Sequence, residues 1–245
     1  MWDNAKAMGL LIKGLTGVFV LLLIGIGASW LYAPQRLPVK QIVISGKLKH
    51  TDGKVLQDIA GQYLQGNILR VDVDSADQAV RALPWTDSVQ VVRRLPDAVE
   101  IRLTERTALA RWKNGGLLDT KGNVFQADSA EKLPLFDGQS GTGGDMVKHY
   151  QEFNTILKPM GIGIKELIYT SRSAWLLVLD NGITVRLGRE HEVKRLQQFA
   201  KVWPALLAKH RSRIEYVDMR YKDGFAVRYS QTAMPSENGS GKNKH

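Results

Sequence analysis

The side chains that carry enzyme chemistry are present in this chain, but they are dispersed. Asp72 and Asp74 come nearest to a carboxylate pair for general acid–base work. They sit beside a helix start, where capping accounts for them better. The five histidines, His50, His149, His191, His210 and His245, show no His-x-x-x-His spacing that would aim two imidazoles at one metal. His191, at the head of a basic helix, reads as solvated. The chain has no cysteine, which excludes disulfides, thiolate zinc sites and cysteine nucleophiles. There is no Gly-x-Ser-x-Gly elbow and no phosphate loop, and Gly161-Ile162-Gly163 reads as a loop signal. These patterns assign no catalytic residue, no metal ligand and no cofactor.

Charge and edge chemistry are more informative. The 34 basic and 24 acidic residues give a net charge of +10 and a pI near 9.7, which suits an anionic or acidic partner. The excess is uneven. Residues 36–106 hold 11 basic against 9 acidic side chains, residues 107–230 hold 19 against 13, and residues 189–213 hold seven against Glu190 and Glu192. A solvated helix face explains such a run as well as binding does. Nucleic acid is not expected for a region outside the membrane; an acidic protein segment fits better. The last hairpin, residues 214–229, ends the patterned chain, so its final strand is expected to be a sheet edge open to strand addition. Tyr216, Tyr221 and Tyr229 offer apolar area with a polar tip, and Arg220 offers a fork for carboxylate. Packing of the tyrosines into the sheet, with Arg220 in solvent, is the competing account.

The elements behind these groups begin with a span. Gly14 to Gln35 is 22 residues without a charge, and twenty helical residues cover about 30 Å, the thickness of a hydrocarbon core. Lys6 and Lys13 precede it, Trp30 and Tyr32 stand at interface positions, and Pro34 and Pro38 stop the helix. Gly25-Ile26-Gly27 also fits a cleaved signal peptide, but the apolar run is longer than the usual ~7–15 residues. The reading is a cytoplasmic tail (1–13), an uncleaved membrane helix (14–33) and an exported bulk. The local charges do not favour that orientation; the length of the C-terminal part does.

The exported part divides near residues 105–107. Residues 37–106 read as strand (39–44), helix capped by Thr51 or Asp52 with Val55, Leu56 and Ile59 on its apolar face, extended run (68–71), helix capped by Asp74 or Ser75, and a hairpin about Leu95-Pro96-Asp97. Residues 107–230 read as mostly antiparallel sheet. A meander (108–125) leads to an exposed loop (137–145), a helix ending near Pro159, and a hairpin about Asp180-Asn181-Gly182. A basic helix and the final hairpin, turning at Lys222-Asp223-Gly224, follow. Residues 231–245 read as a disordered tail. The fold class is α+β.

Several short motifs, in order, resemble the bacterial cell division family FtsQ, called DivIB in other bacteria. They are Gln35-Arg36-Leu37-Pro38, Leu83-Pro84-Trp85, Val89…Arg93…Pro96, Ala110-Arg111-Trp112, Asp119-x-x-Gly122, Leu187-Gly188-Arg189 and Tyr216-Val217-Asp218-x-Arg220-Tyr221-x-x-Gly224. The resemblance implies a POTRA domain over 37–106 and the family's β domain over 107–230. It also implies a single-pass inner-membrane protein with its bulk in the periplasm, concentrated at the division septum. The implied partners are FtsB, FtsL and other divisome membrane proteins, and the implied role is a scaffold linked to septal peptidoglycan assembly. Arg220, Tyr221, Gly224 and Tyr229 match positions where the family binds FtsB. Two departures stand out. Ala108 replaces a usual proline, and only Arg172 remains where relatives carry two arginines before Trp175. In the POTRA domain, Val91 and Arg93 lie on a hairpin that offers a second docking edge, although core packing accounts equally for Val91. The rival readings are a POTRA-bearing secretion or outer-membrane assembly factor, a periplasmic cell-wall enzyme and a secreted basic protein.

Overall fold

The computed structural model describes residues 5–33, 36–222 and 224–230. The proposed helix stop at Pro34, Asp223 of the last turn and the tail at 231–245 lie outside them. The chain forms two compact units that meet between Arg106 and Thr107 in sequence.

In the first unit, helix α1 (Ala5–Leu31) starts before the expected span, because nothing between residues 5 and 13 breaks a helix. Its stretch Met8–Leu31 is long and apolar enough to cross a membrane, and its side chains are exposed along its length. Then come β1 (Gln41–Ser45), α2 (Gly53–Gly61), α3 (Val73–Arg81), β2 (Thr86–Arg94) and β3 (Ala98–Glu105). The sheet order is β1-β3-β2, with β1 parallel and β2 antiparallel to the central β3. Leu56, Ile68, Val80, Val99 and Ile101 are fully buried between the helices and one sheet face.

Three details of this unit differ from the expected pattern. Asp52 caps α2 through Lys54 N–H, but Asp72, not Asp74 or Ser75, caps α3 by accepting Ser75 N–H at 2.9 Å. Residues 68–70 form a turn rather than an extended run, because the carbonyl of Asn67 accepts from Arg70 and Val71 and its side chain from Leu69. Val55, expected on the apolar face of α2, is 46% exposed, whereas Leu56, expected on the same face, is buried together with Ala60.

The second unit is a nine-stranded sheet. Its strands are β4 (Ala108–Trp112), β5 (Leu117–Asp119), β6 (Val124–Phe125), β7 (Leu135–Asp137), β8 (Ile164–Tyr169), β9 (Trp175–Leu179), β10 (Thr184–Gly188), β11 (Ile214–Asp218) and β12 (Ala226–Tyr229). The order is β12-β11-β10-β9-β8-β7-β4-β5-β6, with five antiparallel and three parallel pairings. Helices α4 (Gly143–Leu157) and α5 (Glu192–Val202) bury Phe153, Leu157, Leu196 and Phe199 in the same core as Leu177 and Val185. The segment 137–145 is not simply a loop. β7 ends at Asp137 and α4 begins at Gly143, so both ends of the stretch belong to regular structure. The short β7 and β8 complete the middle of the sheet; Phe136 and Leu167 are fully buried there.

Candidate functional site

The last hairpin builds the site from strand alternation. β11 lies between β10 and β12, and Tyr216 pairs with Arg228 across the antiparallel ladder. The guanidinium of Arg186, from β10, lies 4.2 Å from the Tyr216 ring centroid, and that of Arg228 lies 5.9 Å away. The tyrosine face therefore attracts cations from both neighbouring strands. Arg228 also meets Glu215 at 3.3 Å. Tyr229 is 47% exposed and stands edge-on to His210, with centroids 6.5 Å apart. Tyr221 and Gly224 are exposed in the connecting turn.

β12 is the end strand of the sheet, and among the described residues no strand pairs with its outer side. Ser230 N–H donates to the Arg213 carbonyl at 2.7 Å. Backbone groups alternate along a strand, so Ala226 and Arg228 also bond inward, while Val227 and Tyr229 direct their N–H and C=O outward. The edge thus offers two residues' worth of unpaired backbone beside exposed Tyr229.

Where β9 begins and β10 ends, a cleft of about 600 Å³ reaches the residue that starts the β11–β12 turn, Arg220, and is lined also by Arg172, Trp175, Arg186, Arg189 and Arg195. Trp175 is 4% exposed and stacks on His149 at 4.3 Å. The structure therefore brings Arg172, from the turn before β9, to the same cleft as Arg220. Arg195 is committed within the fold, donating to the Leu187 carbonyl at 2.6 Å. Arg220 is similarly engaged: its Nη2 and Nε donate to Asp218 at 2.6 and 2.8 Å. That bond holds the Asp218 carboxyl below its ordinary range and raises the Arg220 guanidinium. Arg186 is not singled out by sequence, and its Nε is buried with no hydrogen-bond partner among the described residues. Alternation along β10 would have put it opposite Val185 and Leu187, but nothing local shows that it meets Tyr216 from the adjacent strand.

Val91 and Arg93 belong to the first unit. Val91 is half-buried against its core, and Arg93 donates from Nη2 to the Val71 carbonyl at 2.9 Å. β2 is an end strand of its sheet, although Arg81 from α3 donates to the Val89 carbonyl at 3.1 Å. Among the described residues, no group of three His, Asp or Glu side chains comes together.

Among the described residues, one long apolar helix, a small three-stranded α/β unit and a larger sheet with an open end strand define a candidate single-pass membrane protein. The comparisons with known proteins narrow that class. Residues 37–106 match the POTRA domain of FtsQ type, and residues 110–220 match the family described as cell division protein FtsQ/DivIB, C-terminal. The chain is 50% identical to the cell division protein FtsQ of Neisseria gonorrhoeae, over 97% of its own length and 98% of the relative's. For FtsQ of Neisseria meningitidis the identity is 49%, covering 93% of this chain and 97% of the relative. For FtsQ of Escherichia coli it is 32%, covering 81% and 75%. The chain belongs to the FtsQ/DivIB family of cell division proteins.

Proposed function

We propose that this chain is a non-enzymatic, membrane-anchored scaffold of the divisome. Residues 1–13 form its cytoplasmic tail, its bulk lies in the periplasm at the septum, and residues 231–245 form a disordered tail. It links FtsB and FtsL and so helps control septal peptidoglycan assembly. The outer edge of β12 takes an extended segment of FtsB by strand addition. Tyr216, Tyr221, Gly224 and Tyr229 flank that segment, and the neighbouring arginine cleft, with Arg172 and Arg220, favours acidic side chains. Val91 and Arg93 mark a second docking edge on the POTRA domain. The membrane helix confines the chain and its single-pass partners to one plane, which raises their effective concentration.

The observation that carries this reading is the outward-facing backbone of Val227 and Tyr229 on an end strand. The test is co-purification of the full chain with FtsB. Tyr229→Lys places a charge on the flank of the edge without touching the core, so FtsB recovery should fall at least tenfold with an unchanged circular dichroism spectrum. Undiminished recovery with that variant would sink the assignment of the edge.

A further inference from the structure

The POTRA domain is bonded to the end of the membrane helix. Asn67, 3% exposed in the turn between α2 and α3, donates from Nδ2 to the carbonyls of Leu31 at 2.8 Å and Ala33 at 2.9 Å. Leu31 is the last residue of α1, and its carbonyl is one that the helix leaves without an intrahelical partner. Ala33 follows two residues on, and its carbonyl also accepts Arg36 N–H at 3.1 Å. The same turn pairs with the chain leaving the helix. Pro38 bridges to Asn67, Val39 N–H donates to the Gly66 carbonyl at 2.9 Å, and Ile68 N–H donates to the Leu37 carbonyl at 2.8 Å.

The level of this junction is set by side chains suited to a membrane interface. Trp30 and Tyr32 are half exposed, and the Arg36 guanidinium lies 4.1 Å from the Trp30 ring centroid. A second piece of the domain shares that end. β1 leaves the junction parallel to β3, so the β2–β3 hairpin tip lies beside the start of β1; the Asp97 carbonyl accepts Lys40 N–H at 2.8 Å. Leu95, at that tip, is 67% exposed. Arg70 is exposed in the Asn67 turn.

We propose that the Asn67 bonds to the end of α1 hold this face of the POTRA domain on the bilayer. Leu95 enters the interfacial zone, and Arg36 and Arg70 meet phospholipid phosphates. The occupant is lipid because the face is continuous with the helix end. The proposal rests on the reading that α1 spans the membrane.

The chain has no native cysteine, so single cysteines place spin labels cleanly. The full chain, alone in nanodiscs of phosphatidylethanolamine and phosphatidylglycerol, is labelled in turn at Leu95→Cys, at Leu22→Cys within the span, and at Lys47→Cys beyond the far end of β1. Accessibility to oxygen, which concentrates in lipid, is compared with accessibility to a water-soluble nickel chelate. The ratio at residue 95 should be several-fold above that at 47 and below that at 22. Asn67→Asp keeps the acceptor for Leu69 N–H but has no donor for the Leu31 and Ala33 carbonyls, so in that background the ratio at 95 should drop to that at 47. Equal ratios at 95 and 47 with a lipid-buried label at 22 would overturn the proposal and leave the span standing. A water-exposed label at 22 would overturn both. A ratio at 95 unchanged by Asn67→Asp would overturn the role of the tie.

Discussion

Arg220 closes its guanidinium fork on Asp218, two residues away, with Nη2 2.6 Å from Oδ2 and Nε 2.8 Å from Oδ1, and Asp218 itself is only 4% exposed. The Arg220 side chain is 56% exposed, so solvent screens part of the attraction. Arg220→Gln should therefore destabilise the second unit by about 1–2 kcal/mol, less than the loss of a wholly buried pair. Urea unfolding of the full chain checks this. Arg220→Glu is a poorer probe of partner binding, because it sets a second carboxylate beside a buried one and disturbs the fold first.

The first unit carries its own acid-sensitive group. Glu100 on β3 accepts from Arg102, Arg94 and Ser45, which together bring its carboxyl down to about 2. In the unfolded chain the same carboxyl titrates at about 4.3. As pH falls below that, the unfolded chain takes up a proton that the folded chain still refuses, so stability is lost between about 4.3 and 2 and is complete above. Glu100→Gln should flatten that limb. Exchange mass spectrometry of β2 and β3 peptides in urea across this pH range measures it, and an unchanged slope would refute the assignment.

Gly122 and Gly144 make a paired test of close approach. Gly122 has φ of +87°, and a Cβ there would strike the backbone of Gly144 and lie 2.8 Å from the Gly143 carbonyl carbon. Gly122→Ala should cost about 2 kcal/mol or more through overpacking and left-handed strain. Gly144 lies in the first turn of α4 with open space around its Cβ position, so Gly144→Ala should be neutral or stabilising by up to about 1 kcal/mol. Thermal unfolding of both variants gives the comparison.

What could be read from the sequence follows the range of the forces involved. The order of elements in the first unit was legible because apolar periodicity, caps and Pro84 act locally. Asp119-x-x-Gly122 was visible as a motif, and its cause is local too: Asp119 accepts Lys121 N–H and Asn123 N–H, each at 2.8 Å, and Gly122 turns the chain. β7 was not legible, since three residues show no period and their strand character comes from β4 and β8 on either side. The arginine cleft was half legible. The basic run marked Arg189 and Arg195, whereas the meeting of Arg172, Arg186 and Arg220 depends on strand order. The engagement of Arg220 by Asp218 was missed for a different reason. The pair is local, but a two-residue spacing aims both side chains to one face only if the strand continues, and β11 stops at Asp218 while the chain turns.

The sharpest prediction concerns the alternation along β12. Val227 directs its N–H outward, so Val227→Pro removes a donor that the sheet does not use, and an edge strand tolerates the ring and its fixed φ. Arg228 directs its N–H toward β11, so Arg228→Pro removes a ladder bond and should destabilise the end of the sheet by about 1 kcal/mol or more. If FtsB adds a strand to this edge, Val227→Pro should abolish its co-purification at unchanged stability, whereas Arg228→Pro should lower stability and binding together. Side-chain docking without backbone pairing predicts a different pattern, with Val227→Pro binding as well as the parent chain. The two substitutions are one residue apart and insert the same ring. Arg228→Pro also removes the ion pair with Glu215 and the contact with Tyr216, so Arg228→Ala is its reference and Val227→Ala that of Val227→Pro; the difference that remains reports the direction of one N–H.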